Sequence, residues 1–470
     1  MKHTCFLFFF LGCLSVFAQE RNTTYYQVSL ETGFSDQNTL PFWMTANRYG
    51  MLPSTDYLSL HTALGKPFSQ EADGLQTAYK VAVSSFYANR KKVLIDELYL
   101  SLRYRDLQLD LGSKHPALFG EGLSSSNGNI VHSNHARSFP GYRISLTRYI
   151  PLPFAKKWLS FKGYYGDFLL NDPRVVHHTR LHSKGLFLKS VISPRLQFTI
   201  GLNHYVQWAG TSPVAGRQPA GFSDYLRVIS GSAGSDNALP GEQANVLGNQ
   251  LGAYHLQFDF AGEYYDASFY HSHLFEDASG RELQNWKDGL YGLFLDFKEP
   301  GALLSHLLAE FTHTRHASGI GPGEFFDENG VWQASRHMDN YFNSWLYQSG
   351  WTYFGNSIGS PYFTTRPVDE DGITRGIILG DNRFIAVNLG AKGAVGGFFY
   401  TALLSYSEYT GWFYEEYDPR PTQFSGLISL LFRQPKGWPF DLVLGASFDR
   451  GTYRKEALGG FIKIVKKGYF

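Results

Sequence analysis

Three stretches of the chain set flat aromatic rings among amides, carboxylates and guanidinium groups. Trp43, Asn47, Arg48 and Tyr49 form the first; Asn127, Asn129, His132, Asn134, His135 and Arg137 the second; Trp412, Tyr414, Glu415, Glu416 and Tyr417 the third. That combination suits a sugar, because a ring face packs on the C–H surface of a pyranose while polar groups hydrogen-bond the hydroxyls at its edge. A tryptophan taken singly has a competing explanation as part of the aromatic girdle at a membrane interface. The second stretch is a long polar run with no girdle role, although a tight turn alone would account for Asn127-Gly128.

Other chemistry reads more weakly. His177-His178 and His271-x-His273 have metal-ligand residue types, but a lone pair of histidines on one strand face is ordinarily solvated, so no metal is expected. Asp369-Glu370-Asp371-Gly372 has too few spaced oxygen ligands for a calcium loop and reads as a turn. We expect no elbow-type Gly-x-Ser-x-Gly nucleophile, no enzyme and no cofactor. A net charge of +1 lacks the excess of Lys and Arg that a nucleic-acid partner requires.

The elements that must position these groups are strands. Phe, Tyr and Trp make up 17% of the residues and glycine accounts for 49 of 470, a composition of strands, girdles and tight turns. Beyond the N-terminus no apolar run approaches the length of a membrane-spanning helix, and mean hydropathy is −0.24. A transmembrane β-barrel passes that test, because lipid-facing apolar residues alternate with polar residues facing the lumen. Val28, Leu30 and Phe34 alternate with Ser29, Glu31 and Gly33, and Leu58, Leu60 and Leu64 with Ser59, His61 and Gly65. From 98 to 111 the leucines sit on even positions up to Leu102 and on odd positions from Leu107, so a hairpin must turn at Arg105-Asp106. Its other face, Glu97, Ser101, Arg103, Arg105, Gln108 and Asp110, is charged enough to need a wet lumen.

Further hairpins are expected to turn at Ser193-Pro194-Arg195 and at Gln434 to Gly437, with long polar connections over 114–140, 209–249, 317–340 and 409–421. At about 25 residues per strand and connection, the fold is all-β: a single antiparallel transmembrane barrel of about 18 strands with long extracellular loops, and short helices or a plug at 67–75 and 115–123. Residues 1–18 read as a signal peptide cut after Ala18, leaving 19–470 as the barrel. Both cysteines, Cys5 and Cys13, would leave with it. The chain closes on a strand ending in Phe470, the kind of segment that barrel-assembly machinery reads, although Lys466 interrupts its apolar face.

Several blocks in order resemble the Wzi-type capsule-assembly outer-membrane proteins: Pro41 to Gly50, Gly122 to Ile130 with its continuation to Ile144, Tyr341-Phe342-Asn343 running into Gly350 to Gly355, and Ile358 to Pro361. The resemblance implies an outer-membrane barrel of about 18 strands that binds capsular or extracellular polysaccharide and ties it to the cell, with outer-membrane lipid and the assembly machinery as further partners. The charged inward face around Arg103 and Asp110 leaves a second possibility open, a transport channel of the porin or fatty-acid-uptake type.

Overall fold

The computed structural model describes residues 23–69, 74–89, 91–155, 157–276, 278–299, 301–318, 325–326, 332–333, 339–365, 380–412, 415–434 and 438–470. The signal peptide and Asp369 to Gly372 lie outside them. Side-chain alternation decides the architecture. On the first strand Val28, Leu30 and Phe34 face out while Ser29 and Glu31 are buried. Leu98, Leu100, Leu107 and Leu111 likewise face out, over buried Glu97, Ser101, Gln108 and Asp110. An apolar outside around a polar inside is the inverse of a soluble sandwich and suits strands with lipid on one face only.

The strands are β1 (Tyr25–Ser35), β2 (Tyr57–Lys66), β3 (Leu75–Tyr87), β4 (Lys91–Tyr104), β5 (Leu107–Ser113), β6 (Gly141–Leu146), β7 (Leu159–Leu169), β8 (Arg180–Ser193) and β9 (Leu196–Trp208). They continue as β10 (Asn249–Ala261), β11 (Tyr265–Phe275), β12 (Gly289–Phe297), β13 (His306–His313), β14 (Arg383–Val395), β15 (Phe398–Trp412), β16 (Thr422–Phe432), β17 (Asp441–Gly451) and β18 (Ala457–Tyr469). A two-residue piece, Ile150–Pro151, prolongs β6 beside β7, and Glu415–Glu416 folds back on the end of β15. Each strand pairs antiparallel with the next, and β1 pairs with β18 from Tyr25↔Tyr469 to Ser35↔Gly459, closing an 18-stranded barrel. Closure leaves no sheet edge in the membrane.

The parity switch falls where expected: Tyr104 pairs with Leu107 across Arg105-Asp106. Arg105 itself takes a left-handed conformation at the turn, φ 51°, and so leaves the inward set in which its parity had placed it. The β8–β9 hairpin turns after Ser193 as expected. Lys466 is exposed four residues from the C-terminus, beside Val28 and below the outward Ile462 and Ile464. A lysine at that depth reaches the headgroups with its ammonium, so the break in alternation does not oppose insertion. Exposed Tyr104, Trp158, Tyr265, Trp438, Tyr469 and Phe470 ring the same end.

Both termini and the short turns share that end; the long connections share the other, as in outer-membrane barrels whose long loops face outward. The connection expected over 317–340 is far longer. β13 ends at His313 and β14 begins at Arg383, so the blocks from Tyr341 to Pro361 belong to one loop. The lumen is filled from this end by 36–56, 114–140 and 339–365, not by 67–69 or 74. Phe42, Ile130, Val131, Phe342, Trp351 and Ile358, all nearly inaccessible, form an apolar core inside the barrel against wall residues such as Tyr205, Leu251 and Phe384. Of the two expected plug or helix segments, 115–123 joins this plug and holds one 3-10 turn (Gly120–Gly122), whereas 67–69 and 74 lie at the end with the termini. The longest helix among the described residues, Phe222–Ser230, lies instead in the β9–β10 connection.

Candidate functional site

The first two candidate stretches do meet. Asn47 Nδ2 donates to the Ser125 carbonyl at 2.8 Å, and the Tyr49 N–H donates to the Asn134 carbonyl at 2.9 Å. They meet inside the barrel, and most of their polar groups are used in building the plug. Trp43, on the single turn Phe42–Thr45, is 3% exposed and its Nε1 donates to Ser405 Oγ at 3.0 Å. It has no face to offer a sugar, and neither does Asn134, 4% exposed. Arg48 is spent on Glu31 of β1, at 2.8 and 3.0 Å, with Lys463 and Tyr57 on the same carboxylate.

Asn127 and Asn129 act as turn builders. Asn127 Oδ1 accepts from the Phe119 N–H at 2.6 Å and its Nδ2 donates to Ala117 O at 2.9 Å. Asn129 Oδ1 accepts from the N–H groups of Val131 and His132. Short amides satisfying nearby backbone groups are what an irregular buried loop requires. Tyr49 stacks on His115 with ring centres 3.5 Å apart, and His115 in turn faces Asp96 at 3.0 Å. A bulge at Asp96, where the β3–β4 register slips between Val83↔Ile95 and Ala82↔Glu97, places Asp96 and Glu97 side by side near His115, with ligand atoms within 4.8 Å of one another. His61 bonds Asp96 and Lys80 bonds Glu97, so the cluster reads as an ion-paired network that pins the loop rather than as a metal centre. His271 and His273 each bond a backbone carbonyl, Leu290 O and Asp288 O.

A Gly-x-Ser-x-Gly run does occur, at Gly355–Gly359, against expectation. Ser357 is fully buried in the two-stranded hairpin that pairs Thr352–Tyr353 with Asn356–Ser357, and among the described residues its Oγ meets neither a histidine nor an acid. A nucleophile elbow needs an exposed hydroxyl on a strand-to-helix turn, and this is neither.

Burial pushes the imidazoles of His132 and His135 down from 6.5 to about 4, with the charges of Arg143 and Arg454 acting in the same direction. Each is therefore neutral in the packed plug and takes up a proton more readily once the loop is released. Plug stability is fully present above about pH 6.5 and declines as pH falls toward 4. Hydrogen exchange across 128–137, corrected for intrinsic rates, is expected to be markedly faster at pH 4.5 than at pH 7.5; equal protection would count against this.

The third stretch has a different setting. Trp412, at the outer end of β15, lines an open cavity of about 420 Å³ together with Glu415, Tyr417, Asp381, Tyr453 and Arg454. Tyr414 lies outside the described residues. Tyr417 and Tyr453 donate to the two oxygens of Asp381 at 2.8 and 2.7 Å, and Tyr453 stacks on Tyr409 at 3.6 Å. The Arg454 guanidinium lies 5.0 Å over the Phe42 ring and makes no ion pair among the described residues. Aromatic faces, two carboxylates and a guanidinium thus converge on one concave surface at the outward end. Asp381, Tyr453 and Arg454 escaped the reading of the sequence because they come from two connections remote from Trp412, one before β14 and one after β17, with no local pattern to mark them.

No curated protein matches the chain in sequence. Among solved structures it is similar to Wzi, an outer-membrane protein involved in group 1 capsule assembly in Escherichia coli and described as a carbohydrate-binding β-barrel: 12% identity over 94% of this chain and 83% of that one, TM-score 0.56. It also aligns with OpdL of Pseudomonas aeruginosa at 9% identity over 95% and 99% of the two chains, TM-score 0.49. The family model for the capsule assembly protein Wzi matches residues 61–366, which takes in the blocks from Gly122 to Ile144 and from Tyr341 to Pro361 but not Pro41 to Gly50. Since that match spans well over half of a chain that closes into an 18-stranded barrel, this protein belongs to the Wzi family of capsule assembly proteins.

Proposed function

We propose that this protein is a non-enzymatic polysaccharide-binding protein of the bacterial outer membrane that holds capsular or extracellular polysaccharide at the cell surface during assembly and attachment. Membership of the capsule-assembly family carries the reading. The mouth cavity supports it: Trp412 and Tyr417 offer ring faces, while Asp381, Glu415 and Arg454 offer groups for sugar hydroxyls. Arg137, His132, Asn127 and Asn129 of the second stretch line a separate lumenal cavity below the plug.

In this reading residues 1–18 direct export and are removed after Ala18, residues 19–470 form the barrel, the strand ending in Phe470 is handed to the assembly machinery, and lipid covers the outward leucines. Mass spectrometry of the mature protein should show a chain beginning at Gln19. A transport channel fits less well, because the lumen carries an apolar plug where a channel needs water.

Purified capsule should bind the detergent-solubilised protein, and Trp412→Ala with Tyr417→Ala should weaken binding at least tenfold, since ring stacking on a ligand is worth about 1 kcal/mol or more per aromatic. Unchanged affinity in the double variant would move the site elsewhere. Capsule retained normally by a strain lacking the gene, together with no binding in vitro, would refute the function itself.

A further inference from the structure

A second cavity, of about 620 Å³, lies beneath the plug and runs from Asn129 and Arg137 down to Thr147 and Tyr149 at the end with the short turns. Its wall is cationic. Arg103, Arg137, Arg143 and Lys162 all line it, and among the described residues none of the four has a carboxylate within 4 Å. The lining carboxylate, Asp110, is already held by Lys114 at 2.6 Å. Arg103 donates to the neutral amide oxygen of Gln108 at 2.7 Å, which leaves its charge unbalanced.

The guanidinium groups are placed rather than loose. Arg143 lies 4.0 Å over the Tyr164 ring, Arg137 lies 4.1 Å over Phe354, and Arg103 lies 3.8 Å over Phe68. Stacking fixes a guanidinium plane and leaves its edge N–H groups to donate. The Nε atoms of Arg137 and Arg143 are buried without a hydrogen-bond partner. An unpaired buried donor on a charged group costs about 1–3 kcal/mol, and four like charges around one cavity repel. An occupant carrying oxyanions relieves both. The cavity also holds Tyr149, Tyr164, Asn203 and Gln257, which offer ring faces and amides as well as positive charge.

We infer that this lumenal cavity is a second binding site, separate from the mouth, for an acidic saccharide whose carboxylate or phosphate oxygens sit among Arg137, Arg143 and Lys162 with a sugar ring against the tyrosines. Bidentate guanidinium contacts recognise the oxyanion and the tyrosines recognise the ring, so a free inorganic anion satisfies only half of the site.

The test is calorimetry on the full chain in neutral detergent, with trigalacturonate, maltotriose and inorganic phosphate as probes. Trigalacturonate is expected to bind, to weaken severalfold or more on raising salt from about 0.05 to 0.5 M, and to bind at least tenfold more tightly than phosphate. Maltotriose is expected not to compete. Arg143→Gln and Lys162→Gln should each lower trigalacturonate affinity about tenfold, the loss of one charge-assisted hydrogen bond. The two residues face the lumen from β6 and β7, and heat-dependent migration on a gel reports whether each variant is folded. Phosphate binding as tightly as trigalacturonate would overturn the saccharide assignment. Trigalacturonate affinity that ignores salt, or that survives in a folded double variant, would overturn the site. With wild-type protein alone, salt dependence and the ranking of the three probes still decide the matter.

Discussion

Glu310→Leu is expected to release the 114–140 segment from the barrel wall, whereas Glu310→Gln is expected to leave it largely in place. Glu310 stands on β13, buried in the lumen, and accepts five hydrogen bonds. Ser124 Oγ and Tyr270 OH donate to one oxygen at 2.6 Å each. The Ser125 N–H at 2.7 Å, Ser125 Oγ at 2.6 Å and Asn388 Nδ2 at 3.2 Å donate to the other. Among the described residues no cation pairs with this carboxylate, so its stability in the lumen depends on those neutral donors. Leucine strands all five donors, and with each unsatisfied buried donor costing about 1–3 kcal/mol the total loss should reach about 3–5 kcal/mol. Glutamine fits the same space. The hydroxyls of Ser124 and Tyr270 can turn to accept from its amide, while the Ser125 N–H, which only donates, keeps a carbonyl oxygen opposite it. The expected loss is then about 1 kcal/mol. Hydrogen exchange across 123–131 should therefore rise by two to three orders of magnitude in the leucine variant and by about tenfold or less in the glutamine variant, at about 1.4 kcal/mol per decade. Equal exchange in all three proteins would mean that some other contact holds the loop.

What was legible in the sequence follows from what is local. Period-two alternation is a property of neighbouring residues, so the outward leucines of β1, β2 and β4 and the switch at Arg105-Asp106 could be read directly. Plug residues obey no period, because irregular loops are shaped by whichever distant groups satisfy them. Phe342 has a positive φ of 68° and Phe354 one of 49°, conformations that cost a bulky residue about 1–2 kcal/mol and persist only where packing imposes them. Gly359 packs where any Cβ would come within 2.5 Å of the Phe342 ring and 2.6 Å of the Ile130 carbonyl. Neither requirement shows in a single sequence.

The candidate site divides along the same line. Trp43, Asn127 and Asn129 have the chemistry of sugar contacts, and that chemistry is also what a buried loop needs to satisfy its own backbone, so residue type could not separate the two uses. Trp412 and Tyr417 lie five residues apart and could be picked out, but Asp381 and Tyr453, which complete their cavity, are remote in sequence. The stretch with the most polar groups, 127–137, was the strongest candidate, yet the structure places it beneath the mouth.

The seal itself can be tested at Trp351. This residue is fully buried where the segments 114–140 and 339–365 cross. Its indole N–H donates to the Val131 carbonyl at 2.7 Å, its backbone N–H donates to Phe342 O at 2.7 Å, and its ring meets Tyr205 of the wall edge-on at 5.8 Å. Trp351→Ala deletes the ring that joins both segments to the wall and strands a buried carbonyl, at a cost of about 3–5 kcal/mol, enough to raise the population of a displaced plug at least a hundredfold. An 18-stranded barrel with an empty lumen is wide enough for an aqueous channel, so displacement should pass current. In planar bilayers the wild-type protein is expected to be silent and Trp351→Ala to show repeated openings. Trp351→Phe keeps most of the packing but loses the N–H, so it should fall between them. Steady large currents through the wild type would revive the channel reading, and silence from correctly inserted Trp351→Ala would show that the remaining contacts, Glu310 foremost among them, hold the plug on their own.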